Sequence, residues 1–328
     1  HHVLTLVQVP LPGALPVWGG TGHPFIENDR RLAWAAIAAA RGMTDGARVA
    51  LVNELDDAVA AVDGVGFHTT PFARSTVLSD ELGFTADGGV WVKDETGGVG
   101  GSQKARHLFT ILLHLRAMEL LGELPARPPL AIASCGNAAL AAATLARAAD
   151  WPIDEYVPTW MGAGFGDRLD ELGANVQRCA RRNGDPPGDP AMHRFREAVD
   201  TGAVPFTVQG PENALCLDGG RTIGWELAAQ VRAGPHALDA VFGQVGGGAR
   251  AGQGDGCAPV APAEIRQIAA HDIVAGGSRG GVPAPAGVAL PDQAGGLPPP
   301  WRRRSRPSSP RTARDRWARS ERGCRGDG

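Results

Sequence analysis

The amino-acid sequence predicts an α/β protein built on parallel sheets, and three observations support that fold class. The chain has 328 residues and 43% of them are hydrophobic, which is enough to bury the cores of one large or two smaller α/β domains. Strand-like segments alternate with helical segments from about residue 90 to residue 245. Alanine-rich runs separate several of these strands, and such an alternation is typical of parallel sheets that helices cover on both faces.

A leading segment, residues 1–66, precedes this alternation. RRLAWAAIAAAR, residues 30–41, is rich in alanine and predicts a helix, whereas ARVALV, residues 47–52, is strand-like. HTTPFARSTVLSDELG, residues 68–83, combines a Thr-Pro step with an apolar helix start. It leads into the predicted strand VWVKDE at residues 90–95.

The central part of the chain carries the alternation itself. HLFTILLHLRAMELLG, residues 107–122, has apolar residues at helical spacing and ends in a glycine, so it predicts a helix. PLAIAS, residues 129–134, is a short apolar strand, and an alanine-rich helix follows it to Asp150. The remaining predicted elements are strands at 154–160, 175–179, 205–208 and 237–245, and helices around 168–172 and over 190–202 and 221–232.

The chain contains only two lysines, Lys93 and Lys104. A lysine amine can deprotonate and attack a carbonyl, which an arginine guanidinium cannot do. Lys104 follows a Gly-Gly-Ser turn and opens the helical run, so the sequence places its amine where a loop becomes a helix. That position is compatible with a nucleophilic amine and equally with an ordinary solvated lysine at a helix start.

Two further turns lie where a predicted strand ends. SCGN, residues 134–137, would present N–H groups and one amide at the carboxyl ends of the strands, where open α/β sheets bind ligands. GGG, residues 246–248, follows a buried strand, and such glycines let backbone N–H groups approach a phosphate. Each turn also has a plainer interpretation, because Asn137 suits an N-cap and a glycine triplet is typical of a flexible loop.

The composition and the sequence patterns argue against membrane, secreted, disulfide-bonded and metal-binding proteins. No run of about 18 uncharged apolar residues occurs, so we expect no membrane span. The first residues lack an initiator Met and a signal-peptide pattern, which leads us to expect a cytoplasmic protein. The cysteines are odd in number, widely spaced and without a CxxC pair, which argues against a disulfide framework and a metal site. They are Cys135, Cys179, Cys216, Cys257 and Cys324.

Several motifs occur together between Thr70 and Ala249. In chain order they are Thr-Pro followed by LSDELG, then VWVKDE, GSQKAR, SCGN, LDELGANV and FGQVGGGA. In this order they resemble the motifs of the fold-type II pyridoxal-phosphate enzymes. That family includes threonine and serine dehydratases, threonine synthase and cysteine synthase.

The resemblance implies a tryptophan synthase β-like fold with two open parallel sheets in two domains. It places a large, incomplete cofactor-binding domain in residues 67–109 and 204–249, and a small α/β domain in residues 110–203. Family members usually form dimers or tetramers, so it also implies a homo-oligomer.

The resemblance further implies the site. Lys104 would be the catalytic residue, which forms the Schiff base with pyridoxal 5'-phosphate and then acts as the base at the α-carbon of the substrate. The glycine loop would hold the phosphate, Ser102 would lie beside the phosphate or the lysine, and Asn137 would hydrogen-bond the ring oxygen. The implied cofactor-binding residues are Lys104, Ser102, Asn137, Gly246, Gly247, Gly248 and Ala249. The substrate carboxylate would bind to N–H groups of Ser134, Cys135, Gly136, Asn137 and Ala138.

Four residues depart from the family pattern and leave the substrate open. Gln103 stands where Phe or Val is common, His107 where Gly is common, and Cys135 and Ala138 where Ser and His or Thr are frequent. His107 is compatible with an acid or base in the site, since histidine titrates near neutral pH, and equally with a helix-surface position. We interpret Lys93 as part of the scaffold.

The last segment, residues 250–328, is dominated by Pro, Gly and Arg and has the composition of a disordered tail, apart from the short stretch APAEIRQIAAHDIVA. Ten arginines in the last 28 residues would suit a polyanion-binding tail. A membrane-surface patch is less favoured because no amphipathic helix is present. We favour a third hypothesis, a reading frame shifted after about codon 249, because the composition changes directly after a motif that should open a helix.

These observations predict a pyridoxal-phosphate-dependent lyase that removes water or ammonia from a small hydroxy amino acid such as threonine or serine. A β- or γ-replacement enzyme of the same family is the nearest alternative. A truncated or frameshifted member without activity and a polyanion-binding protein are the two non-enzyme alternatives.

Overall fold

A computed structural model of the chain describes residues 22–85, 88–234, 238–244, 266–270 and 275–276. All of them fall within one compact unit of the chain. The α-helices in these residues are α1 Pro24–Glu27, α2 Ala33–Ala40, α3 Asp45–Asp63, α4 Thr76–Glu81, α5 Lys104–Leu120, α6 Asn137–Ala148, α7 Ala163–Glu171, α8 Pro190–Asp200 and α9 Leu215–Ala233. The strands are β1 Phe72–Ser75, β2 Val90–Lys93, β3 Leu130–Ala133, β4 Ile153–Pro158, β5 Asn175–Cys179, β6 Val204–Pro205, β7 Ala240–Gln244, β8 Arg266–Ala270 and β9 Ala275–Gly276.

One sheet has four parallel strands in the order β5-β4-β3-β6. Successive side chains along each strand point to opposite faces of the sheet. Leu130 and Ile132 of β3 lie in the main hydrophobic core with the alanines of α6, whereas Ala131 between them packs in a second cluster with Phe195 of α8. Helices therefore cover both faces of this sheet, as the alternating sequence predicts.

The other sheet has five strands in the order β1-β2-β9-β7-β8 and is mixed. β7 and β8 run parallel, while the β1–β2, β2–β9 and β7–β9 pairs are antiparallel. The predicted α/β fold class is confirmed, but the expectation of parallel pairing holds in full only for the four-stranded sheet. β8 and β9 lie within the predicted tail: β8 lies inside the stretch APAEIRQIAAHDIVA, and β9 begins at the last residue of that stretch.

Helix α5 lies at the centre of the described core. Buried residues occur on all sides of it, from Ala105 to Met118, and it packs on α2, α3, α6 and α9. A helix that is apolar all round is typical of a buried position. Lys104 is its first residue, so the predicted loop-to-helix junction of the lysine is present in the structure.

Some local predictions are wrong in their boundaries or type, and one strand is missed. Residues 47–52 are part of helix α3 and do not form a strand. The Thr44 side chain accepts a hydrogen bond from Ala47 N–H at 3.2 Å, Gly64 ends the helix at φ 87°, and Leu51, Leu55 and Val59 are buried four residues apart. The sequence pattern does not predict strand β1, and α9 begins six residues before the predicted Arg221.

The predicted division into domains stays a prediction, as does the shifted reading frame. None of the helices in the described residues combines the length and apolar character that a membrane-spanning helix needs.

Candidate active site

A turn that contains two glycines precedes Lys104. Gly100 and Gly101 have φ values of 65° and 66°, the left-handed region that favours glycine. The N–H of Gly100 donates to Asp63 Oδ2 of α3 at 3.0 Å, which ties the turn to a neighbouring helix. Ser102 is buried, and its hydroxyl accepts from the N–H of Lys104 at 3.4 Å. The turn therefore sets the path by which the chain enters α5 at Lys104.

The Lys104 side chain lies close to the beginning of α9. Its positive charge acts on the thiol of Cys216, a residue that is fully buried. Burial raises the pKa of this thiol from 9.0 to about 12, and the charge of Lys104 opposes the rise. Cys216 is thus a neutral neighbour of Lys104 at ordinary pH, and no sequence motif predicts it.

Arg106, two residues after Lys104, is the centre of a buried charge network. Its Nη1 donates to Glu226 Oε1 at 2.5 Å and to Thr222 Oγ1 at 3.2 Å, both on α9. Its Nη2 donates to the carbonyl of His68 at 3.1 Å, and its Nε forms an ion pair with Glu95 Oε2 at 2.9 Å. Three separate parts of the chain thereby hold one guanidinium.

Lys93 belongs to the same network. Its Nζ donates to Glu226 Oε2 at 2.7 Å, to the Thr70 carbonyl at 2.7 Å and to Gln230 Oε1 at 3.0 Å. The side chain is 8% exposed, and burial lowers the pKa of its amine while the Glu226 carboxylate opposes that shift. These contacts agree with the interpretation of Lys93 as scaffold.

Helix α9 lies against the backbone of α5 without an intervening side chain. A Cβ atom on Gly219 would lie 1.9 Å from the carbonyl oxygen of Arg106, so only glycine fits. His107 is 1% exposed, and its Nδ1 lies 2.8 Å from the carbonyl oxygen of Cys216. The helix-surface interpretation of His107 is therefore wrong, because the ring is buried against the backbone of α9. Its role as an acid or base stays a prediction.

The SCGN turn joins β3 to α6. Ser134 N–H donates to the Tyr156 carbonyl on the neighbouring strand at 3.3 Å, which holds the turn at the carboxyl end of the sheet. Gly136 is the N-cap of α6, and no side chain caps this helix. Cys135 and Asn137 are exposed. Asn137 is therefore the first residue of the helix and not its cap, and the first N–H groups of α6 have no acceptor in their own helix.

The lysine turn and the SCGN helix are neighbours. A Cβ atom on Gly100 would lie 3.7 Å from Cα of Ala141, one turn into α6. The structure thus brings together two of the three motifs predicted for the site. The third motif, Gly246–Gly248 with Ala249, lies outside the described residues.

Four residues of this region, Glu95, Glu226, Cys216 and Gly219, are not predicted from the sequence. One signal is available for Gly219, because two successive glycines in a helical pattern cost stability and indicate close packing when they persist. The partners of Arg106 have no such signal, since Glu226 lies 120 residues further along the chain.

Comparison with known proteins decides the family. The model of the "Pyridoxal-phosphate dependent enzyme" family matches residues 65–275, which is more than half of the chain. The chain belongs to this family. Pyridoxal phosphate is the cofactor of the family, as the sequence motifs predict. The match ends at residue 275, beyond the Ala249 boundary of the motifs.

The chain is also similar to several solved structures. O-ureido-L-serine synthase aligns with a TM-score of 0.51 and 20% identity, over 65% of this chain and 61% of the other. Threonine deaminase isoform 2 from Solanum lycopersicum aligns with a TM-score of 0.45 and 22% identity, over 64% and 52%. Maize serine racemase aligns with 0.45 and 20%, over 61% and 54%. The chain thus spans about half to three-fifths of the length of these proteins. A search of curated proteins found no match.

Proposed function

We propose that this chain is a pyridoxal-phosphate-dependent lyase that removes water or ammonia from a small hydroxy amino acid, with Lys104 as its cofactor lysine. The observation that carries the proposal is the contrast between the two lysines. Lys93 belongs to the buried charge network, where its amine donates to three acceptors, whereas Lys104 opens α5 at a loop-to-helix junction beside the SCGN helix. The chain has no third lysine that could take the role.

The residues around Lys104 fit the cofactor. The cofactor is an anion with a polar ring, and the adjacent α6 offers an uncapped N-terminus whose partial positive charge attracts anions. The exposed amide of Asn137 is available to a polar ring substituent, because it caps no helix. The hydroxyl of Ser102 lies two residues before the lysine. These groups would hold the ring and the substrate, and the glycine loop at residues 246–248 would take the phosphate.

Bound pyridoxal phosphate supplies an electron sink for the carbanion at the α-carbon of an amino acid. The residues of the chain orient the substrate and move its protons. The N–H groups of the SCGN turn would bind the substrate carboxylate and fix the α-carbon relative to Lys104. The amine of Lys104 would then accept the α-proton, since an amine of suitable pKa is an effective general base.

The sequence motifs are shared by eliminating and replacing members of the family, so the choice of elimination is itself part of the proposal. One of the similar solved structures, O-ureido-L-serine synthase, is named a synthase, so the replacement reaction is the second candidate. The SCGN turn does not separate the two reactions, because Cys135 and Ala138 both differ from the residues frequent there.

The first experiment locates the cofactor lysine. Purified full chain is incubated with pyridoxal phosphate, reduced with borohydride and digested, and mass spectrometry identifies the labelled lysine. We expect the label on Lys104, no label in Lys104→Ala, and a label that is still on Lys104 in the control Lys93→Met. A label on Lys93, or none on either lysine, would contradict the proposal.

The second experiment identifies the reaction. Threonine or serine is added to the cofactor-loaded chain, with and without a thiol nucleophile. A lyase releases a 2-oxo acid without the thiol, and Lys104→Ala abolishes that release. Product that forms only when the thiol is present would favour the replacement enzyme.

A further inference from the structure

We propose that the Glu226 carboxylate positions Lys104, because its ion pair with Arg106 holds the first turn of α5. This inference rests on the proposed function, in which Lys104 carries the cofactor. Glu226 is a positioning residue here, since it acts through Arg106 and not through contact with a reacting atom.

The first turn of α5 lacks the usual local support. Gln103 is the N-cap residue and has helical φ and ψ, and its side chain does not cap the helix. The hydroxyl of Ser102 accepts from Lys104 N–H only at 3.4 Å. Helix ends without a capping side chain lose stability and fray. A fixed Lys104 therefore needs support from outside its own helix.

Arg106 supplies that support through contacts that are distant in sequence. Both oxygens of Glu226 contact its guanidinium, with Nη1–Oε1 at 2.5 Å and Nη2–Oε2 at 3.3 Å. This two-point contact fixes the plane of the guanidinium as well as its distance. Glu226 is 0% exposed and Arg106 is 3% exposed, so water does not compete for either group.

The helical geometry transmits this constraint to Lys104. Residues of an α-helix are rotated by about 100° each, so positions two apart leave the helix about 200° apart. When the charge network holds Arg106 on one side of α5, the side chain of Lys104 must extend from the nearly opposite side of the same helix. Rotation of α5 that brought Lys104 elsewhere would break the Arg106 pair and also the contact of Gly219 with the Arg106 carbonyl.

Glu226 is the carboxylate that contacts both buried cations of the network, Arg106 and Lys93. It accepts from Arg106, from Lys93 at 2.7 Å and from Thr70 N–H at 3.3 Å. Without its charge, two buried cations share the single carboxylate of Glu95. An uncompensated buried charge is strongly destabilising, so the segments that carry these cations separate or rearrange. The first turn of α5 is one of those segments.

The test compares Glu226→Gln with Asp29→Asn in the full chain. Asp29 Oδ2 pairs with the buried Arg48 at 2.7 Å on the N-terminal helices, so Asp29→Asn breaks a similar pair that does not include α5. Hydrogen–deuterium exchange is measured at amides 105–112 relative to those of α6. We expect exchange at least about tenfold faster in Glu226→Gln and within about twofold of wild type in Asp29→Asn. Equal relative exchange in the two variants would overturn the inference.

Capture of pyridoxal phosphate gives the second reading of the same variants. The rate of borohydride-trapped labelling at Lys104 should fall at least about tenfold in Glu226→Gln and stay within about twofold in Asp29→Asn. Unchanged capture in Glu226→Gln would overturn the positioning role even if the proposed function stands. If wild type captures nothing on Lys104, the proposed function fails, and the exchange result alone decides whether Glu226 holds the helix.

Thr222→Val replaces Glu226→Gln if the latter does not fold. This change removes one acceptor of the Arg106 guanidinium, at 3.2 Å, and the hydrogen bond that the Thr222 hydroxyl donates to the Gly219 carbonyl, and it leaves every charge paired. Faster exchange at amides 105–112, by about threefold, would support the inference, and unchanged exchange would contradict it.

Discussion

The two helices that meet at the candidate site are held in opposite ways. The N-terminus of α5 is buried against α9, where Gly219 allows contact with the backbone of Arg106 and Glu226 holds its guanidinium. The N-terminus of α6 is open, with Cys135 and Asn137 exposed and no capping side chain. A covalent anchor needs a fixed position, whereas a turn that binds an exchangeable ligand needs unpaired N–H groups. The difference in packing therefore matches the difference in proposed role.

The carboxyl groups beneath the two helices repeat the contrast. Glu226 and Glu155 are both 0% exposed. Glu226 has two cationic partners, whereas neither side-chain oxygen of Glu155 has a hydrogen-bond partner among the described residues. Glu155 lies next to Tyr156, whose carbonyl holds the SCGN turn. The carboxylate near the N-terminus of α5 is thus paired with cations. The carboxyl near the N-terminus of α6 has no such partner among the described residues.

The cysteines at the two junctions test the contrast most strongly. Cys216 is buried with a pKa of about 12, against an ordinary 9.0, whereas Cys135 is exposed. The raised pKa of Cys216 reduces its reactive thiolate, and burial also blocks access of the reagent. We expect maleimide at neutral pH to label Cys135 at least about a hundredfold faster than Cys216, as located by peptide mass spectrometry. Labelling of Cys216 should become fast in denaturant, and comparable native rates would contradict the packing described for α9.

A matched pair of glycine substitutions tests the close contact of α5 with α9. Gly219→Ala should lower the free energy of unfolding by at least about 3 kcal/mol, because the new Cβ overlaps a backbone oxygen at 1.9 Å. Gly136→Ala is the control, since a Cβ there meets nothing within 4 Å. Its effect should stay within about 1 kcal/mol, the loss expected when alanine replaces a preferred N-cap residue. Urea unfolding midpoints measure both, and similar losses would show that the two junctions do not differ in packing.

Glu155 predicts a dependence of stability on pH. Burial raises the pKa of its carboxyl well above 4.5, so the folded state holds the proton more tightly than the unfolded state. The protonated carboxyl contributes fully to the free energy of unfolding at a pH below the pKa that Glu155 has in the unfolded chain. This contribution is lost as the pH rises towards the pKa that Glu155 has in the folded chain. We expect Glu155→Gln to raise the free energy of unfolding by about 1–3 kcal/mol at about pH 8 and by little at about pH 4.

The measurement is the urea midpoint of both proteins across that pH range. The control is Glu212→Gln, because Glu212 forms a partly exposed pair with Arg196. This substitution should change the dependence of the urea midpoint on pH little. A difference between wild type and Glu155→Gln that does not grow with pH would contradict the assignment of a protonated buried carboxyl.

Asn137 gives the smallest expected effect on stability. Because Gly136 and not Asn137 is the N-cap of α6, Asn137→Ala should change the free energy of unfolding by less than about 0.5 kcal/mol. Thr44→Ala is the comparison, because Thr44 does cap α3 and its loss should cost about 1 kcal/mol. The same Asn137→Ala protein should bind pyridoxal phosphate more weakly in a visible-absorbance titration. A stability loss equal to that of Thr44→Ala would show that Asn137 has a capping role.

Prediction from the sequence succeeds where the signal is local. The helical spacing of residues 107–122 predicts most of α5, and the alternation of short apolar strands with alanine-rich helices predicts the parallel four-stranded sheet. It fails at residues 47–52, where six residues with mixed valine and alanine fit either a strand or a helix. The cap at Thr44 and the burial of Leu51, Leu55 and Val59 decide that choice.

The sequence by itself determined the family, the two lysines and the order of the motifs, because glycines, a lysine and short apolar runs act through the backbone next to them. Only the tertiary structure decided that Lys93 is held in the buried charge network, that His107 is buried against α9, and that Glu226 and Glu155 differ. Those properties depend on which charges meet in the core. The pairing of Arg106 with Glu226 joins residues 120 positions apart, and a buried charge is stable only if folding brings its partner to it.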